Sequence, residues 1–187
     1  ETTEEAFNLL ENLLRWTRNQ NGKTKIYATL FNLTPVARQV VSLFSAIANA
    51  KEIELINRIE GKFDIFADED MIKTVLRNLI SNAIKFTYTG GQVELSLADS
   101  GDYWTIYVKD NGKGIPKDLQ THLLKSDEYI TTYGTHNEKG SGLGLILCRD
   151  FIRMNKGKLH FYSQEGIGTT FYFTIPKASS SAKAASR

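Results

Sequence analysis

The sequence predicts an α+β fold, a two-layer sandwich in which a mixed, mostly antiparallel sheet carries helices on one face. Two pairs of segments alternate apolar and polar residues and are joined by short polar turns: "GQVELSLA" and "YWTIYVK" by "DSGD", and "KLHFYSQ" and "TTFYFTIP" by "EGIG". This pattern is typical of β-hairpins. Other segments repeat apolar residues at the spacing of a helix. Hairpins that are adjacent along the chain and interspersed with helices favour an antiparallel sheet over a parallel one.

The elements of the first half are predicted in the order helix, strand, helix and two strands. The first helix ends at Asn21-Gly22 and has an apolar stripe, made of Ala6, Leu9, Leu10, Leu13, Leu14 and Trp16. The next segment, "TKIYATLFNL", has strand composition. Thr34 and Pro35 indicate an N-cap and a first helical residue, which open a helix to about Asn49. Two short strands, "IELINRI" and "KFDIFA", are predicted around a turn at Glu60-Gly61.

The second half contains the clearest helical segment and the longest polar segment. Residues 68–87, "DEDMIKTVLRNLISNAIKFT", place acids in the first turn, where they complement the helix dipole. Residues 112–141 are polar and contain several glycines, which predicts a long loop with one short helix near Leu119 to Leu124. Loops of this length are uncommon unless they have a function. The segment "LGLILCRDFIRMN" is predicted to be a helix that leads into the second hairpin.

The composition indicates a globular domain and argues against several classes of protein. The chain has 187 residues, of which 41% are hydrophobic and 24% charged, as in globular proteins. A net charge of +2 and scattered basic residues give no nucleic-acid footprint. The single cysteine cannot form an internal disulfide, and it favours a reducing compartment. No apolar segment reaches the roughly 18 residues of a membrane span, and we expect no signal peptide in these residues.

Both ends of the chain are expected to lie outside the main domain. The first residues have the pattern of the middle of a helix, so we expect the sequence to be a fragment of a longer protein. Residues 178–187, "ASSSAKAASR", are small and polar, which is typical of a flexible linker or tail.

Three polar residues of the helix at 68–87 form a candidate site for phosphate or metal. Asn78, Asn82 and Lys85 stand at i, i+4 and i+7, so they share one face. Amide oxygens are hard neutral ligands of the kind that Mg²⁺ accepts together with substrate phosphates. The alternative is a solvated polar face, which is the norm on surface helices and would also contain Thr74, Ser81 and Arg77.

A carboxylate ends the first hairpin, in the stretch "DNGKGIP". Asp110 has the same strand phase as Trp104, Ile106 and Val108, so its side chain is predicted to face the core. A buried carboxylate needs a donor; the exocyclic amine of adenine would serve, whereas a guanine carbonyl would be repelled. Gly112 and Gly114 would let the backbone approach a flat ring closely. The alternative is an aspartate that caps a glycine turn, the commoner use of "DNG".

A third motif, "GSGLGL" at residues 140–145, leads into an apolar helix. Glycines before a helix N-terminus are typical of phosphate sites. The spacing differs from the dinucleotide fingerprint, and an ordinary glycine turn is the alternative. The remaining reactive side chains are assigned to structure, because Cys148 lies among apolar helix residues and His122, His136 and His160 lack metal-ligand spacing.

The order of these motifs resembles that of a known family. The segments "NLISNAIKF", "DNGKGI", "GSGLGL" and "GIGTTFYF" have the order and approximate spacing of the N, G1, G2 and G3 boxes. The sequence therefore resembles the ATP-binding catalytic domain of bacterial sensor histidine kinases, in the superfamily of gyrase, Hsp90 and the mismatch-repair ATPases. The likeness covers about residues 25–177. The segment "NEKGSGLGLILCRDF" is most similar in sequence to the hybrid two-component sensors of Bacteroides-type bacteria.

The resemblance implies a Bergerat-type ATP-binding fold and three parts of the chain. Residues 1–22 would be the second helix of a dimerisation and phosphoacceptor hairpin, residues 23–177 the catalytic domain, and residues 178–187 the linker or tail. The polar residues 125–139 fall where the family has its mobile ATP lid. The segment "THLLKSDEYITTYG" lacks the phenylalanine of the usual F box. No histidine followed by an acid lies in a helix, so the phosphoacceptor is expected on a hairpin helix upstream of this sequence.

The resemblance also implies residue roles. Asn82 corresponds to the magnesium ligand, Asn78 also faces the metal and phosphates, and Lys85 contacts phosphate; these three are the candidate catalytic residues. Asp110 corresponds to the aspartate that accepts from the adenine amine. The implied nucleotide-binding set, which adds an aromatic residue beside the nucleotide and the glycines on the phosphate side, is Asn78, Asn82, Lys85, Phe86, Asp110, Gly112, Gly114, Ile115, Lys139, Gly140, Ser141, Gly142, Leu143, Gly144 and Thr170.

The function implied by the resemblance is that of an ATP-dependent protein-histidine kinase that uses ATP and Mg²⁺. The γ-phosphoryl would pass to a histidine on a hairpin helix of the same or a sister chain, and from there to a response regulator receiver domain. The full-length protein is expected to be a homodimer with this part in the cytoplasm. No contact of this part with nucleic acid or membrane is expected.

Two other functions remain open at the level of the sequence. An ATP-driven conformational ATPase of the gyrase or Hsp90 kind normally has a glutamate where Asn78 stands, and an amide cannot replace that base. A module that senses nucleotide without transferring phosphate would tolerate the unusual F box.

Overall fold

The computed structural model describes residues 25–123, 134–136 and 143–178. The predicted first helix at 1–22 and most of the predicted lid at 125–139 therefore lie outside the described residues. The elements in chain order are β1 (Thr29–Asn32), α1 (Leu33–Ala50), β2 (Glu54–Asn57), β3 (Asp64–Ala67), α2 (Glu69–Phe86), β4 (Gln92–Ser100), β5 (Tyr103–Asp110), α3 (Lys117–Gln120), α4 (Leu143–Met154), β6 (Leu159–Gln164) and β7 (Gly168–Pro176).

The strands form a five-stranded sheet and a separate two-stranded ribbon. The order in the larger sheet is β2-β4-β5-β7-β6, in which β2 runs parallel to β4 and the other neighbours are antiparallel. The helices α1, α2 and α4 contact this sheet, and α2 packs against both α1 and α4. These features confirm the predicted α+β class with a mixed, mostly antiparallel sheet.

The core lies between the helices and one face of the sheet. Every second residue of the central strands is buried there, as the alternation predicts, for example Ile106 and Val108 on β5 and Phe171 and Phe173 on β7. The intervening residues, such as Tyr172, lie on the opposite face. A side chain's strand phase therefore decides whether it can reach the helix side.

Both predicted hairpins are confirmed. β4 and β5 pair antiparallel around Gly101-Asp102, and β6 and β7 pair around residues 165–167. Gly101 has φ +72°, a conformation that glycine adopts without steric cost. The second turn also touches the loop that follows β5, since the Gly166 N–H donates to the Lys113 carbonyl at 2.7 Å.

The start of α1 differs from the prediction. Its N-cap is Asn32, whose side chain accepts from the Thr34 N–H at 3.2 Å. The same Asn32 oxygen accepts from the Phe63 N–H at 3.0 Å, which ties the strand β3 region to the helix start. Thr34 instead donates its hydroxyl to the Gly61 carbonyl at 2.7 Å. Asn32 serves as the cap because its one side-chain oxygen satisfies both the nearby Thr34 N–H and the distant Phe63 N–H.

The predicted strands β2 and β3 exist, but they do not pair with each other. β2 joins β4 in the large sheet, whereas β3 pairs with β1. In the ribbon, Phe31 lies opposite the buried Ile65. The turn at Glu60-Gly61 therefore separates two sheets and does not close a hairpin.

A buried lysine holds the C-terminal end of α2. Lys51, 7% exposed, donates its ammonium to the carbonyls of Ile84 and Lys85, each at 3.0 Å. Carbonyls in the last turn of a helix lack partners within the helix, and a cation there also complements the helix dipole. No local pattern predicts this contact, because Lys51 is distant along the chain from the carbonyls that it binds.

Replacing Lys51 by methionine is expected to lower the free energy of unfolding by about 2 kcal/mol, the size of a hydrogen bond to a charged group. Methionine keeps the aliphatic stem but leaves buried carbonyls without this donor. Urea unfolding at neutral pH measures the change. Lys62→Met is the matched control, because Lys62 is exposed and its ion pair with Asp64 lies at the surface. Equal, small changes in both variants would contradict the role of Lys51.

Two further observations concern the class of protein. Within the described residues, no helix is both long enough and apolar enough to span a membrane. Cys148 is buried, as predicted, and its burial raises the pKa of its thiol well above the usual range. A thiol in this state is not an effective nucleophile.

Candidate nucleotide site

The polar residues of α2 lie in a partly covered position. Asn78, Asn82 and Lys85 are all half-buried, whereas Arg77 and Ser81, on the neighbouring side of the helix, are exposed. The opposite face contributes to the core between Met71 and Ile84. The candidate residues therefore do not form a simple solvated face.

Asn78 faces the start of α4. Its Nδ2 donates to the Thr74 carbonyl one turn earlier at 2.9 Å. A Cβ atom added to Gly144 would lie only 2.8 Å from the Asn78 Oδ1, so the glycine allows α4 to approach this amide. Leu143, the first residue of α4, is buried. The structure thus brings the second half of "GSGLGL" next to the first of the two predicted asparagines.

One turn further along α2, Asn82 has no hydrogen-bond partner for its amide among residues 25–123, 134–136 and 143–178. A half-buried amide of this kind retains its capacity to bind a ligand. The donor set consists of neutral amide oxygens, and no group of three His, Cys, Asp or Glu side chains in the described part could hold a metal. Magnesium fits such a set when substrate phosphates supply the charge.

The end of α2 is cationic. The ammonium groups of Lys85 and Lys113 lie 5.1 and 5.0 Å from the centroid of the Phe86 ring, within the range of cation–π contacts. The Lys113 N–H also donates to the Phe86 carbonyl at 3.0 Å. Lys113 stands inside "DNGKGI" but is not among the predicted site residues.

Asp110 is buried at the end of β5, with 6% of its surface exposed. Its Oδ1 accepts from the N–H groups of Gly112 at 3.0 Å and Thr169 at 3.1 Å. The predicted core-facing direction is therefore correct, and the alternative of a capped glycine turn is present as well. Among the described residues, Oδ2 receives no hydrogen bond. One oxygen holds the turn while the other remains available to a ligand.

The environment of Asp110 changes its acidity. Burial raises the pKa of the carboxyl from 3.8 to about 6, against the two backbone hydrogen bonds, which lower it. The carboxylate is thus poorly solvated at neutral pH and would gain from an additional donor. Perturbed groups of this kind cluster at functional sites.

The glycines after Asp110 contact backbone. A Cβ on Gly112 would collide with the Phe86 carbonyl, and a Cβ on Gly114 would collide with the Gln164 carbonyl. Gly114 also has φ +69°. Close backbone packing therefore requires a glycine at both positions. They fix the loop between the end of α2 and the end of β6.

The strand register places Thr170 on a different face of the sheet from Asp110. Asp110 lies opposite Thr169, so Thr170 is on the other face of the sheet, opposite Lys109. Thr169 donates its N–H to Asp110 and is itself buried. The "GTT" segment offers two threonines, and only the register shows which one shares the face of the carboxylate.

Part of the predicted loop contacts the end of α2. Thr135 donates its N–H to the Lys85 carbonyl at 3.1 Å, and its hydroxyl lies 3.1 Å from that carbonyl and 2.9 Å from the Thr87 carbonyl. The predicted site residues Lys139, Gly140, Ser141 and Gly142 lie outside the described residues. Ile115 is half-buried and packs on the core.

A cavity of about 600 Å³ lies on another side of the loop after β5, beside α3. Pro116, Gln120, Ser163 and Glu165 are among its lining residues. None of the predicted site residues lines it. The candidate site is instead defined by the polar face of α2, which contacts the start of α4 at Gly144 and the loop after Asp110 at Gly112.

Comparison with known proteins identifies the family. Residues 67–179 match the family described as histidine kinase-, DNA gyrase B-, and HSP90-like ATPase. The chain is 30% identical to the adaptive-response sensory kinase SasA of Crocosphaera subtropica over 90% of this chain and 44% of SasA. It is 30% identical to the autoinducer 2 sensor kinase/phosphatase LuxQ of Vibrio parahaemolyticus over 90% of this chain and 20% of LuxQ. The chain spans less than half the length of these relatives.

Solved structures give the same result. The nucleotide-free catalytic domain of histidine kinase ThkA is 31% identical, with a TM-score of 0.68 over 81% of this chain and 96% of that domain. Full-length ShkA in complex with AMPPNP is 26% identical, with a TM-score of 0.79 over 95% of this chain and 37% of ShkA. The chain therefore belongs to the histidine kinase-, DNA gyrase B- and HSP90-like ATPase family and contains the ATP-binding catalytic domain of a sensor histidine kinase.

Proposed function

We propose that this chain binds Mg-ATP between α2, α4 and Asp110 and presents the γ-phosphoryl to a histidine on a hairpin helix of the same or a sister chain. The observation that carries the proposal is the juxtaposition of a buried carboxylate with one available oxygen and a helix face with two amides and a lysine. The carboxylate suits the amino group of a base, whereas the amides and the lysine suit a polyphosphate with its metal ion. Family membership supports the assignment of nucleotide as the ligand.

Asp110 would bind the adenine base. Its Oδ1 is held by two backbone N–H groups, so the carboxylate cannot rotate without losing them. Its Oδ2 would accept from the exocyclic amine, and the low solvation of the site strengthens such a bond. Thr169 replaces Thr170 as the threonine proposed beside the base.

The α2 side chains would bind the phosphates. Asn82 is the proposed magnesium ligand, Asn78 supplies a second amide oxygen near the start of α4, and Lys85 with Lys113 supplies positive charge. When bound, Mg²⁺ neutralises charge on the phosphate oxygens and orients them. Phosphoryl transfer needs chiefly positioning and charge neutralisation, which this set of neutral and cationic groups can provide.

The same geometry disfavours a conformational ATPase. Such an enzyme needs a base to activate water, and Asn78 has an amide whose Nδ2 already donates to the Thr74 carbonyl. An amide oxygen does not accept a proton at neutral pH. A module that only senses nucleotide remains the second candidate, and transfer activity separates it from the kinase.

Several further proposals rest on the family likeness. The division at residues 1–22, 23–177 and 178–187, a homodimer of the whole protein, a response regulator receiver domain as partner and a cytoplasmic position all follow the pattern of sensor kinases. An origin in a Bacteroides-type hybrid sensor is proposed from the sequence of the segment "NEKGSGLGLILCRDF" alone.

The proposal is tested in two steps. Calorimetry with ATP, with and without Mg²⁺, should show binding that the metal tightens. The longer protein with its upstream hairpin should then incorporate radiolabelled phosphate from ATP in an acid-labile, alkali-stable form, which is the behaviour of phosphohistidine. Binding without transfer would favour the sensing module. Absence of ATP binding would contradict both.

A further inference from the structure

Three polar side chains stand in a row across the helix-facing side of the sheet. The register places Asp110 on β5 opposite Thr169 on β7, and Thr169 opposite Ser163 on β6. The Ser163 Oγ lies 2.8 Å from the Thr169 Oγ1, and the Thr169 N–H lies 3.1 Å from the Asp110 Oδ1. Ser163 is thus the outermost member of a chain that ends at the proposed base-binding carboxylate.

The Ser163 hydroxyl makes three contacts. Its oxygen accepts from the Ile115 N–H at 2.9 Å, its proton reaches the Gly168 carbonyl at 3.0 Å, and the third contact is with the Thr169 hydroxyl. A serine hydroxyl has one proton to donate and two lone pairs. Since that proton goes to the Gly168 carbonyl, the third contact exists only if Thr169 donates its own proton to Ser163. One arrangement of protons therefore satisfies all three contacts.

This arrangement sets the polarity of Thr169. With its proton committed to Ser163, the Thr169 Oγ1 presents lone pairs only. Asp110 likewise presents only lone pairs when it is ionised. Thr169 lies opposite Asp110 in the strand register, so both acceptors belong to the same place on the sheet. Together they favour a ligand that donates, such as an amino group, and oppose one that presents an oxo group.

We propose that Ser163 is a specificity-determining positioning residue, which fixes the Thr169 hydroxyl as an acceptor and so makes the base site select a 6-amino purine over a 6-oxo purine. This inference rests on the proposed binding of ATP at Asp110. Ser163 acts through Thr169 and does not itself touch the base.

The test compares ATP with inosine triphosphate, which carries an oxo group in place of the amino group. Both are measured by competition against a fluorescent ATP analogue at pH 8, where Asp110 is ionised. In Ser163→Ala the Thr169 hydroxyl can rotate and donate to the oxo group. The affinity for inosine triphosphate relative to ATP should then rise roughly three- to tenfold, the size of one hydrogen bond.

Three variants serve as controls. Ser163→Thr keeps the hydroxyl and should keep the wild-type ratio. The double variant Ser163→Ala with Thr169→Val removes the rotating hydroxyl and should lose the gain. Ser100→Ala is the matched control, because the Ser100 hydroxyl also contacts a threonine hydroxyl, that of Thr105 at 2.6 Å. This pair lies towards the turn of the β4–β5 hairpin, away from Asp110. The affinity ratio of the two nucleotides should not change in this variant.

The outcomes separate the inference from the function. Equal weakening of both nucleotides in Ser163→Ala would mean a structural role and would overturn the inference while ATP binding stands. A gain that survives in the double variant would also overturn it. Failure of the wild-type protein to bind ATP would instead overturn the proposed function. Thermal unfolding of each variant confirms that the compared proteins are folded.

Discussion

Asp110→Asn is expected to weaken ATP binding roughly 10- to 150-fold, which corresponds to about 1.5–3 kcal/mol for a hydrogen bond to a charged group. The asparagine oxygen can still accept from the N–H groups of Gly112 and Thr169, so the turn keeps its hydrogen bonds. Its amide nitrogen would then face the base with a donor, where the adenine amine also donates. The loss of ATP affinity should therefore exceed the loss expected from removing the negative charge alone.

The same substitution should stabilise the fold above pH 6. The pKa of Asp110 is about 6 in the folded protein and 3.8 is its ordinary value, so between these pH values the folded state holds a proton that the unfolded state has lost. Unfolding free energy then falls as pH rises through this window. The contribution is fully present below pH 3.8 and is lost above about 6. At pH 8 the variant should gain about 2–3 kcal/mol relative to wild type.

Urea unfolding at pH 4 and pH 8, paired with calorimetry, checks both effects. The wild-type protein should lose stability between the two pH values by more than Asp110→Asn does, while its affinity for ATP rises with pH as the carboxylate forms. Asp118→Asn is the control, since Asp118 is exposed in α3. Unchanged ATP affinity in Asp110→Asn would remove this residue from the base site. If Asp110→Asn were less stable than wild type at pH 8, this would contradict the claim that the buried charge destabilises the folded state.

Asn82→Ala should reduce phosphoryl transfer by the longer kinase about 100-fold, the effect typical of removing one preorganised group at a reacting centre. Stability should change little, because alanine is a good helix former and the amide has no partner among the described residues. Metal-free nucleotide binding should persist, because Asp110 and Lys85 remain. The Mg²⁺ dependence of binding should be lost.

Transfer rates and calorimetry with and without Mg²⁺ measure these effects. Ser81→Ala, one residue away on the exposed side of α2, is the matched control and should behave as wild type. If Asn82→Ala keeps both the metal dependence and the transfer rate, the magnesium ligand is another residue.

Local patterns predicted the elements on which the site is built. The helix α2 and both hairpins follow from apolar spacing and short polar turns, and the phase of β5 gave the direction of Asp110. Those signals lie within a few residues of each other along the chain, so tertiary contacts had little opportunity to override them.

Local patterns do not show contacts between distant residues. β3 pairs with β1, from which α1 and β2 separate it along the chain, and no local pattern encodes that pairing. The choice between Thr169 and Thr170 depends on a one-residue register, which reverses every side chain of a strand. Lys51 and Ser163 were not selected because their partners are backbone carbonyls or residues on other strands. Nothing in their own neighbourhoods marks them as unusual.

The backbone contacts of the loop after Asp110 have a consequence for engineering. Gly112 abuts the carbonyl of Phe86, Gly114 abuts that of Gln164, and Gly166 donates to Lys113. This loop therefore has no conformation of its own that could be transplanted. If residues 110–115 were grafted into another domain, their backbone would collide with the side chains and the turn that occupy the corresponding positions. The smallest exchangeable unit is the loop together with the last turn of α2 and the β6–β7 turn, so recombination between relatives would preserve the site only when crossovers fall outside all three.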